Sequence, residues 1–142
     1  MSKYYIDTCI WLNLFKKEND KVQYWKFAKD FLEKVMFSKD IIYYSGFVLK
    51  EIEHIIKNKD LFKEKKLFFK EEKKFIYIKA KNEDYEFARK LESNNNYKIS
   101  FYDCLHIALA KRKKAVLITR DKDLIHIAEK HILTKKPEEL LS

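Results

Sequence analysis

The chain has 142 residues, 46% hydrophobic and 15% aromatic; that suits one domain over residues 1–142 with its own core, and argues against disorder, a repeat array or a multi-domain enzyme. The only glycine is Gly46 and the only proline Pro137, which excludes collagen-like and hairpin-rich all-β architectures, whose turns depend on those residues. With 31 Lys and Arg against 22 Asp and Glu, the formal net charge of +9 favours a polyanionic partner such as nucleic acid, and the scarcity of arginine (Arg89, Arg112, Arg120) favours contacts to backbone phosphates over base edges.

The chain starts Met1-Ser2-Lys3-Tyr4-Tyr5-Ile6-Asp7, with a carboxylate where a secretion signal needs apolar residues. The longest uncharged stretch, residues 41–49, falls far short of the roughly 20 residues that span a bilayer. A soluble, cytoplasmic protein with no membrane partner is expected. Cys9 and Cys104 have no metal-type spacing and are expected as reduced thiols.

Strand-like and helix-like patterns alternate from end to end. Tyr4-Tyr5-Ile6 reads as a strand, followed by a buried turn at Ile10-Trp11-Leu12. Residues 20–37 place Val22, Trp25, Ala28, Phe31, Leu32, Val35 and Met36 at helical spacing. Residues 41–44 read as a second strand, and from Ser45 a helix follows with Val48, Leu49, Ile52, Ile55 and Ile56 on its apolar face. A lysine- and phenylalanine-rich stretch, residues 57–74, carries Leu61, Phe62, Phe68 and Phe69; core positions are expected for Phe62 and Phe69, with the rest open to a dimer or partner surface.

Residues 75–78 read as a third strand, and Asn82 with Glu83 and Asp84 as the capped, acidic start of a helix that closes at Asn94-Asn95-Asn96. Ser100 is expected to cap a helix running to about Lys113, before a fourth strand over 115–118, a helix over 121–130 and a short edge strand at Ile132-Leu133. Strands separated by helices do not pair as hairpins, so the expected fold is α/β: a three-layer α/β/α sandwich around a central parallel sheet.

Ligands of such sheets bind at the carboxyl ends of the strands. Asp7 follows the first strand and Asp121 follows the fourth after Thr119 and Arg120, so both carboxylates are expected at one sheet edge. Asp103 lies in the helix Phe101-Tyr102-Asp103-Cys104-Leu105-His106-Ile107-Ala108, apolar nearly all round, where a charge needs a partner. Glu51 flanks the apolar stripe of its helix, and Glu53 flanks the other side equally well. Structural accounts stand beside each: Asp7 and Asp121 as helix caps, Asp103 in a capping box with Ser100, Glu51 on a solvated face, and His106 packed in the core.

Tyr5-Ile6-Asp7-Thr8, Ser45 with Val48-Leu49-Lys50-Glu51, Tyr102-Asp103-Cys104-Leu105-His106-Ile107-Ala108 and Leu117-Ile118-Thr119-Arg120-Asp121-Lys122-Asp123 resemble, in order and spacing, the four blocks of PIN-domain ribonucleases. The likeness extends to the tail, Ile132-Leu133-Thr134 with Pro137-Glu138-Glu139-Leu140-Leu141, and is strongest to VapC-type toxins of toxin–antitoxin pairs and their archaeal relatives. The resemblance implies that Asp7, Glu51, Asp103 and Asp121 form a catalytic, metal-binding acidic cluster supported by Thr119, Thr8 and Ser45, with Asp123 in the outer shell. It also implies an endoribonuclease, an RNA substrate, a cognate antitoxin and a homodimer. Hard carboxylate oxygens suit Mg²⁺ or Mn²⁺. Lys111, Arg112, Lys113 and Lys114 are expected to guide the RNA backbone. The neighbouring alternatives are an RNA-processing PIN nuclease without an antitoxin and a non-catalytic RNA-binding PIN domain. An aspartyl-phosphate phosphatase is set aside, because Cys9 stands where a second Asp is needed.

Overall fold

The computed structural model describes residues 1–16 and 22–141. Strands β1 (Lys3–Ile6), β2 (Ile41–Ser45), β3 (Phe75–Ile78), β4 (Val116–Ile118) and β5 (Thr134–Lys135) form one all-parallel sheet in the order β3-β2-β1-β4-β5. Tyr5 at its centre pairs with Tyr43 on one side and Leu117 on the other. Tyr4, Tyr5 and Ile6 are all buried, as are Ile42 to Ser45. Successive strand residues point to opposite faces, so both faces are covered, which is the expected three-layer α/β/α fold.

The chain order explains the layers. The chain moves outward from β1 through β2 to β3, then returns past β1 to β4 and β5, and right-handed crossovers in opposite directions put their helices on opposite faces. Helices α1 (Thr8–Lys16), α2 (Tyr24–Met36), α3 (Gly46–Ile56) and α4 (Lys59–Glu71) come from the first excursion, and α1 packs on both α2 and α3. Helices α5 (Asn82–Asn94), α6 (Phe101–Lys113) and α7 (Lys122–Ala128) come from the second, with α5 packed on α6. A 3₁₀ turn, Pro137–Leu140, closes the chain against α2.

Several boundaries differ from expectation. The turn expected around Ile10-Trp11-Leu12 is helix α1, with Ile10 and Trp11 buried and Leu12, Leu14 and Phe15 against the core. A helix apolar on most sides carries no clear 3.6-residue rhythm to read. The expected helix start at residue 20 lies outside the described residues, and Val22 is 43% exposed ahead of α2 instead of on its apolar face. Ile55 is likewise exposed on α3. The edge strand begins at Thr134, after the expected Ile132-Leu133, because the carbonyls that accept from Leu117 and Thr119 belong to Leu133 and Lys135. Asn82 is the first helical residue of α5, not its cap, and the Asp84 carboxylate closes that end by accepting from the Lys81 N–H at 2.8 Å. The last helix is shorter than expected, Lys122–Ala128, with Asp121 as its cap.

In the 57–74 stretch, Phe69 is core, while Phe62 is only half-buried. The Trp11 ring lies 4.7 Å from Phe69 and 5.5 Å from Phe75, both edge-on, and joins α1, α4 and β3. Each such ring contributes about 2–3 kcal/mol by leaving water.

Arg112 ends α6 in an ion pair instead of on open surface. Its Nε donates to both Asp84 oxygens at 3.1 and 3.0 Å, and its terminal nitrogen donates to the Lys79 carbonyl at 2.9 Å. Asp84 is 3% exposed, and removing one partner of a buried pair strands the other charge. Arg112→Gln is therefore expected to cost about 3 kcal/mol in urea unfolding, and Lys111→Gln, exposed one residue earlier, less than about 0.5 kcal/mol. Equal small losses would contradict the ion pair's structural role.

Candidate functional site

The sheet reverses its strand order between β1 and β4, and Asp7 sits at that point, its N–H donating to the Ile118 carbonyl at 2.9 Å. Asp7 is 4% exposed and its carboxylate is held on both oxygens. Oδ1 accepts from the Thr8 N–H at 2.8 Å; Oδ2 accepts from the Thr119 hydroxyl at 2.8 Å and the Cys9 thiol at 3.1 Å. Thr119 is fully buried at the end of β4, so two adjacent strands fix one carboxylate. Burial and the Asp7 charge push the Cys9 thiol well up and keep it protonated.

Glu51 reaches the same place from α3. Ser45 caps this helix, its Oγ accepting from the Val48 N–H at 3.4 Å, and so sets which side faces inward. Glu51 Oε1 accepts from the Thr8 hydroxyl at 3.0 Å and lies 2.6 Å from His106 Nε2. Glu53 is exposed. The geometry thus separates two residues that periodicity left equivalent.

Asp103 and His106 come from α6. Cys104 to Ala110 are all buried in this helix, and Asp103, in its first turn, is half-buried with its N–H capped by Ser100 Oγ at 3.1 Å. Asp7, Asp103 and His106 offer ligand atoms within 4.8 Å of one another. His106 is fully buried, and His106 Nε2 is 3.8 Å from Asp7 Oδ1. His106 is packed in the core as expected, and the packing account leaves out its bonds: an imidazole one turn after an acid, on a helix buried nearly all round, must have polar partners.

Those partners form a directed chain. Ser45 Oγ accepts from Val48 and is 2.7 Å from the Tyr5 hydroxyl, which is 2.7 Å from His106 Nδ1. The Glu51 carboxylate only accepts, so Nε2 carries the hydrogen donated to it; in the neutral imidazole Nδ1 then accepts from the Tyr5 hydroxyl, which in turn accepts from Ser45. A nitrogen bearing that hydrogen has no lone pair for an ion, so His106 orients Glu51 and the oxygens of Asp7, Asp103 and Glu51 are the hard donors. Ser45 acts through Tyr5, its side-chain partners among the described residues being the Tyr5 hydroxyl and the Val48 N–H.

Asp121 stands apart from the cluster. It is exposed, and its Oδ1 accepts from Asp123 N–H at 3.0 Å and Leu124 N–H at 3.2 Å as the cap of α7. Its own N–H donates to Thr119 Oγ1 at 3.2 Å, which ties it to the hydroxyl that holds Asp7. Asp123 is exposed and pairs with Lys98 at 3.7 Å. Lys111, Lys113 and Lys114 lie at the far end of α6, about 15 Å from Asp103 at 1.5 Å per residue.

Crowding shows in the electrostatics. Burial first, then the Asp7 charge, raises Asp103 to about 6 from an ordinary 3.8, with Glu51 adding to the rise and His106 opposing it. Burial lowers His106, but the hydrogen bond to Glu51 and the charges of Asp7, Glu51 and Asp103 outweigh it, so the imidazole is raised overall. Between pH 3.8 and 6 the folded protein holds a proton on Asp103 that the unfolded chain has released, so stability falls as pH rises through that window. The His106 contribution has the same sign: present below its unfolded value and lost as pH rises through its folded one. In EDTA, the melting temperature of wild type relative to Asp103→Asn should therefore fall between pH 4 and pH 7. A constant difference would contradict the crowding.

Residues 4–130 match the PIN domain family. No curated protein matches the sequence. Among solved structures, VapBC2 from Rickettsia felis bound to a DNA fragment from its promoter contains a chain 18% identical, with a TM-score of 0.72, covering 94% of this chain and 98% of that one. A chain of VapBC-1 from nontypeable Haemophilus influenzae is 16% identical with a TM-score of 0.70, covering 96% and 98%. One of FitAcB from Neisseria gonorrhoeae is 13% identical with a TM-score of 0.64, covering 96% and 99%. At these identities the likeness is one of fold. Among the described residues, no helix is long and apolar enough to cross a membrane.

Proposed function

This chain belongs to the PIN domain family, and from that premise we propose that it is a Mg²⁺- or Mn²⁺-dependent endoribonuclease, the toxin of a toxin–antitoxin pair. The observation that carries the reading is the convergence of Asp7, Asp103 and Glu51 at the sheet's switch point, two of them with ligand atoms inside 4.8 Å together with His106. Carboxylates held this close, one already raised to about 6, are stabilised by a cation, and their all-oxygen donor set fits a hard one. When bound, the ion lowers the pKa of a water for attack on phosphorus and offsets the charge of the leaving oxygen.

The residues then divide the work. Thr8, Thr119 and Cys9 hold the Asp7 carboxylate in one orientation, His106 and Thr8 hold Glu51, and burial keeps competing water from Asp7. The excess of lysine draws RNA to the protein. Lys111, Lys113 and Lys114 contact only RNA that extends about 15 Å beyond the scissile bond. An antitoxin partner is favoured by the neighbours being VapBC and FitAcB proteins, and a homodimer in the cytoplasm completes the reading.

Purified protein is expected to cleave a structured RNA in Mn²⁺ and not in excess EDTA, and Mn²⁺ is expected to raise the melting temperature by mass action. Cleavage unaffected by EDTA would refute the reading. Asp121→Asn separates charge from capping, since Asn caps a helix as well as Asp. We expect it to keep wild-type stability and lose about 10- to 100-fold in cleavage, whereas Asp121→Ala also loses about 1 kcal/mol of stability. Asp123→Asn should lose less than Asp121→Asn.

A further inference from the structure

Two surface clefts meet at Lys50, the exposed residue just before Glu51 on α3. One, of about 340 Å³, lies between Lys50, Glu51, His54, Ile55 and Tyr102, so it borders the candidate carboxylate and, through Tyr102, the residue next to Asp103. The other, of about 230 Å³, passes from Gly46 and Phe47 to Tyr77, Lys79 and Tyr85 at the carboxyl end of the edge strand β3. The Phe47 ring links them, 5.2 Å from Tyr102 and 6.2 Å from Tyr85.

Their chemistry is shared. Tyr77 is 54% exposed yet held in place, edge-on to Tyr44 at 5.5 Å and with its hydroxyl 3.2 Å from where a Cβ on Gly46 would stand. Lys50 and Lys79 are exposed, and among the described residues no carboxylate lines the second cleft. An exposed ring at Tyr77 and a half-buried one at Tyr102, with lysines beside them and the acidic cluster at one end, match a polyanion whose bases are free to stack. Bases inside a duplex are already stacked and cannot reach such rings.

We propose that the two clefts form one track that binds single-stranded RNA, with unpaired bases stacked on Tyr77 and Tyr102, backbone phosphates on Lys50 and Lys79, and the strand delivered past Glu51 to the carboxylates. The track rests on the nuclease reading for its direction, but binding tests it separately from cleavage.

The experiment measures fluorescence anisotropy of a labelled single-stranded RNA of about ten nucleotides, and of the same strand in a duplex, against the full chain in EDTA. Tyr77→Leu, which keeps an apolar contact with Tyr44, should weaken single-stranded binding at least about fivefold and leave the weaker duplex binding unchanged. Lys50→Gln/Lys79→Gln should reduce the slope of log affinity against log salt by about 1.4. Lys63→Gln/Lys66→Gln, in a separate lysine-lined cleft with Phe62, should match wild type in both. Wild-type affinity in Tyr77→Leu with an unaltered melting curve, or an equal loss in the Lys63/Lys66 variant, overturns the track. Cleavage in Mn²⁺ that persists at wild-type kcat/KM in Tyr77→Leu overturns the track and leaves the nuclease reading standing. The expected binding pattern without cleavage in Mn²⁺ upholds the track and refutes the nuclease.

Discussion

Asp7→Asn and Asp103→Asn are each expected to lower RNA cleavage in Mn²⁺ at least about 1,000-fold, the equivalent of about 4 kcal/mol of lost charge stabilisation in the transition state. Both substitutions keep the side-chain size. Asn at 7 can still accept from the Thr8 N–H through its carbonyl oxygen, and its amide can donate to Thr119 Oγ1, a hydroxyl able to turn from donor to acceptor, so the switch point keeps its shape while the negative charge is gone. Asn at 103 should, if anything, stabilise the metal-free fold, because it removes a carboxylate that burial and Asp7 already hold at about 6. Lost activity with unchanged or higher stability is the signature of a group kept for chemistry. The Mn²⁺-induced rise in melting temperature should disappear in the Asp7→Asn/Asp103→Asn double variant. Growth arrest on expression in a host lacking the antitoxin should disappear in either single variant. Full cleavage by Asp103→Asn would remove the mechanism, since its carboxylate is the one whose raised value needs a cation most.

The parallel sheet and its helices were legible because each strand is a short β-branched or aromatic run framed by helix-length segments; Asp7 follows from its place at a strand end, and Thr119 from the resemblance. Residues 75–78 were read to the residue. Helix α1 was not legible: Ile10, Trp11, Leu12, Leu14 and Phe15 spread apolar groups around most of the helix, and only the finished fold shows that α2, α3 and α4 surround it. The Glu51 and Glu53 choice depends on the angle at which Ser45 caps α3, a quantity with no trace in spacing. His106 depends on contacts 55 and 101 residues away in the chain. Asp121 and Arg112 show the converse. The resemblance gives Asp121 a ligand's role and the basic run gives Arg112 a phosphate contact; the structure shows in addition a capping bond for Asp121 and a buried partner for Arg112, because local hydrogen bonding uses polar groups before any ligand arrives.

Glu51→Gln is expected to lower cleavage about 100- to 1,000-fold, while Glu53→Gln stays within about twofold of wild type. The contrast follows from α3 alone: Glu51 Oε1 sits 2.6 Å from His106 Nε2 and 3.0 Å from the Thr8 hydroxyl, and Glu53 faces water beside Lys57. A Gln carbonyl accepts both of those hydrogen bonds, so the variant tests charge without disturbing position. His106→Ala tests position without removing a carboxylate. It leaves the Tyr5 hydroxyl buried with only Ser45, at a cost of about 1–3 kcal/mol, and frees Glu51 to turn, which should cost about 10- to 100-fold in cleavage. If Nε2 carries the hydrogen, His106→Ala retains a reduced Mn²⁺-induced rise in melting temperature, because all three carboxylates remain. If His106 is itself a ligand, the rise vanishes as it does in the Asp7→Asn/Asp103→Asn variant. Tyr5→Phe tests the orientation from the other end: without the hydroxyl at Nδ1 the ring loses the partner that fixes its plane, while the Glu51 carboxylate still keeps the hydrogen on Nε2. Cleavage should then fall about tenfold with little loss of stability, and an unchanged rate would show that the Ser45–Tyr5 chain does not set the histidine.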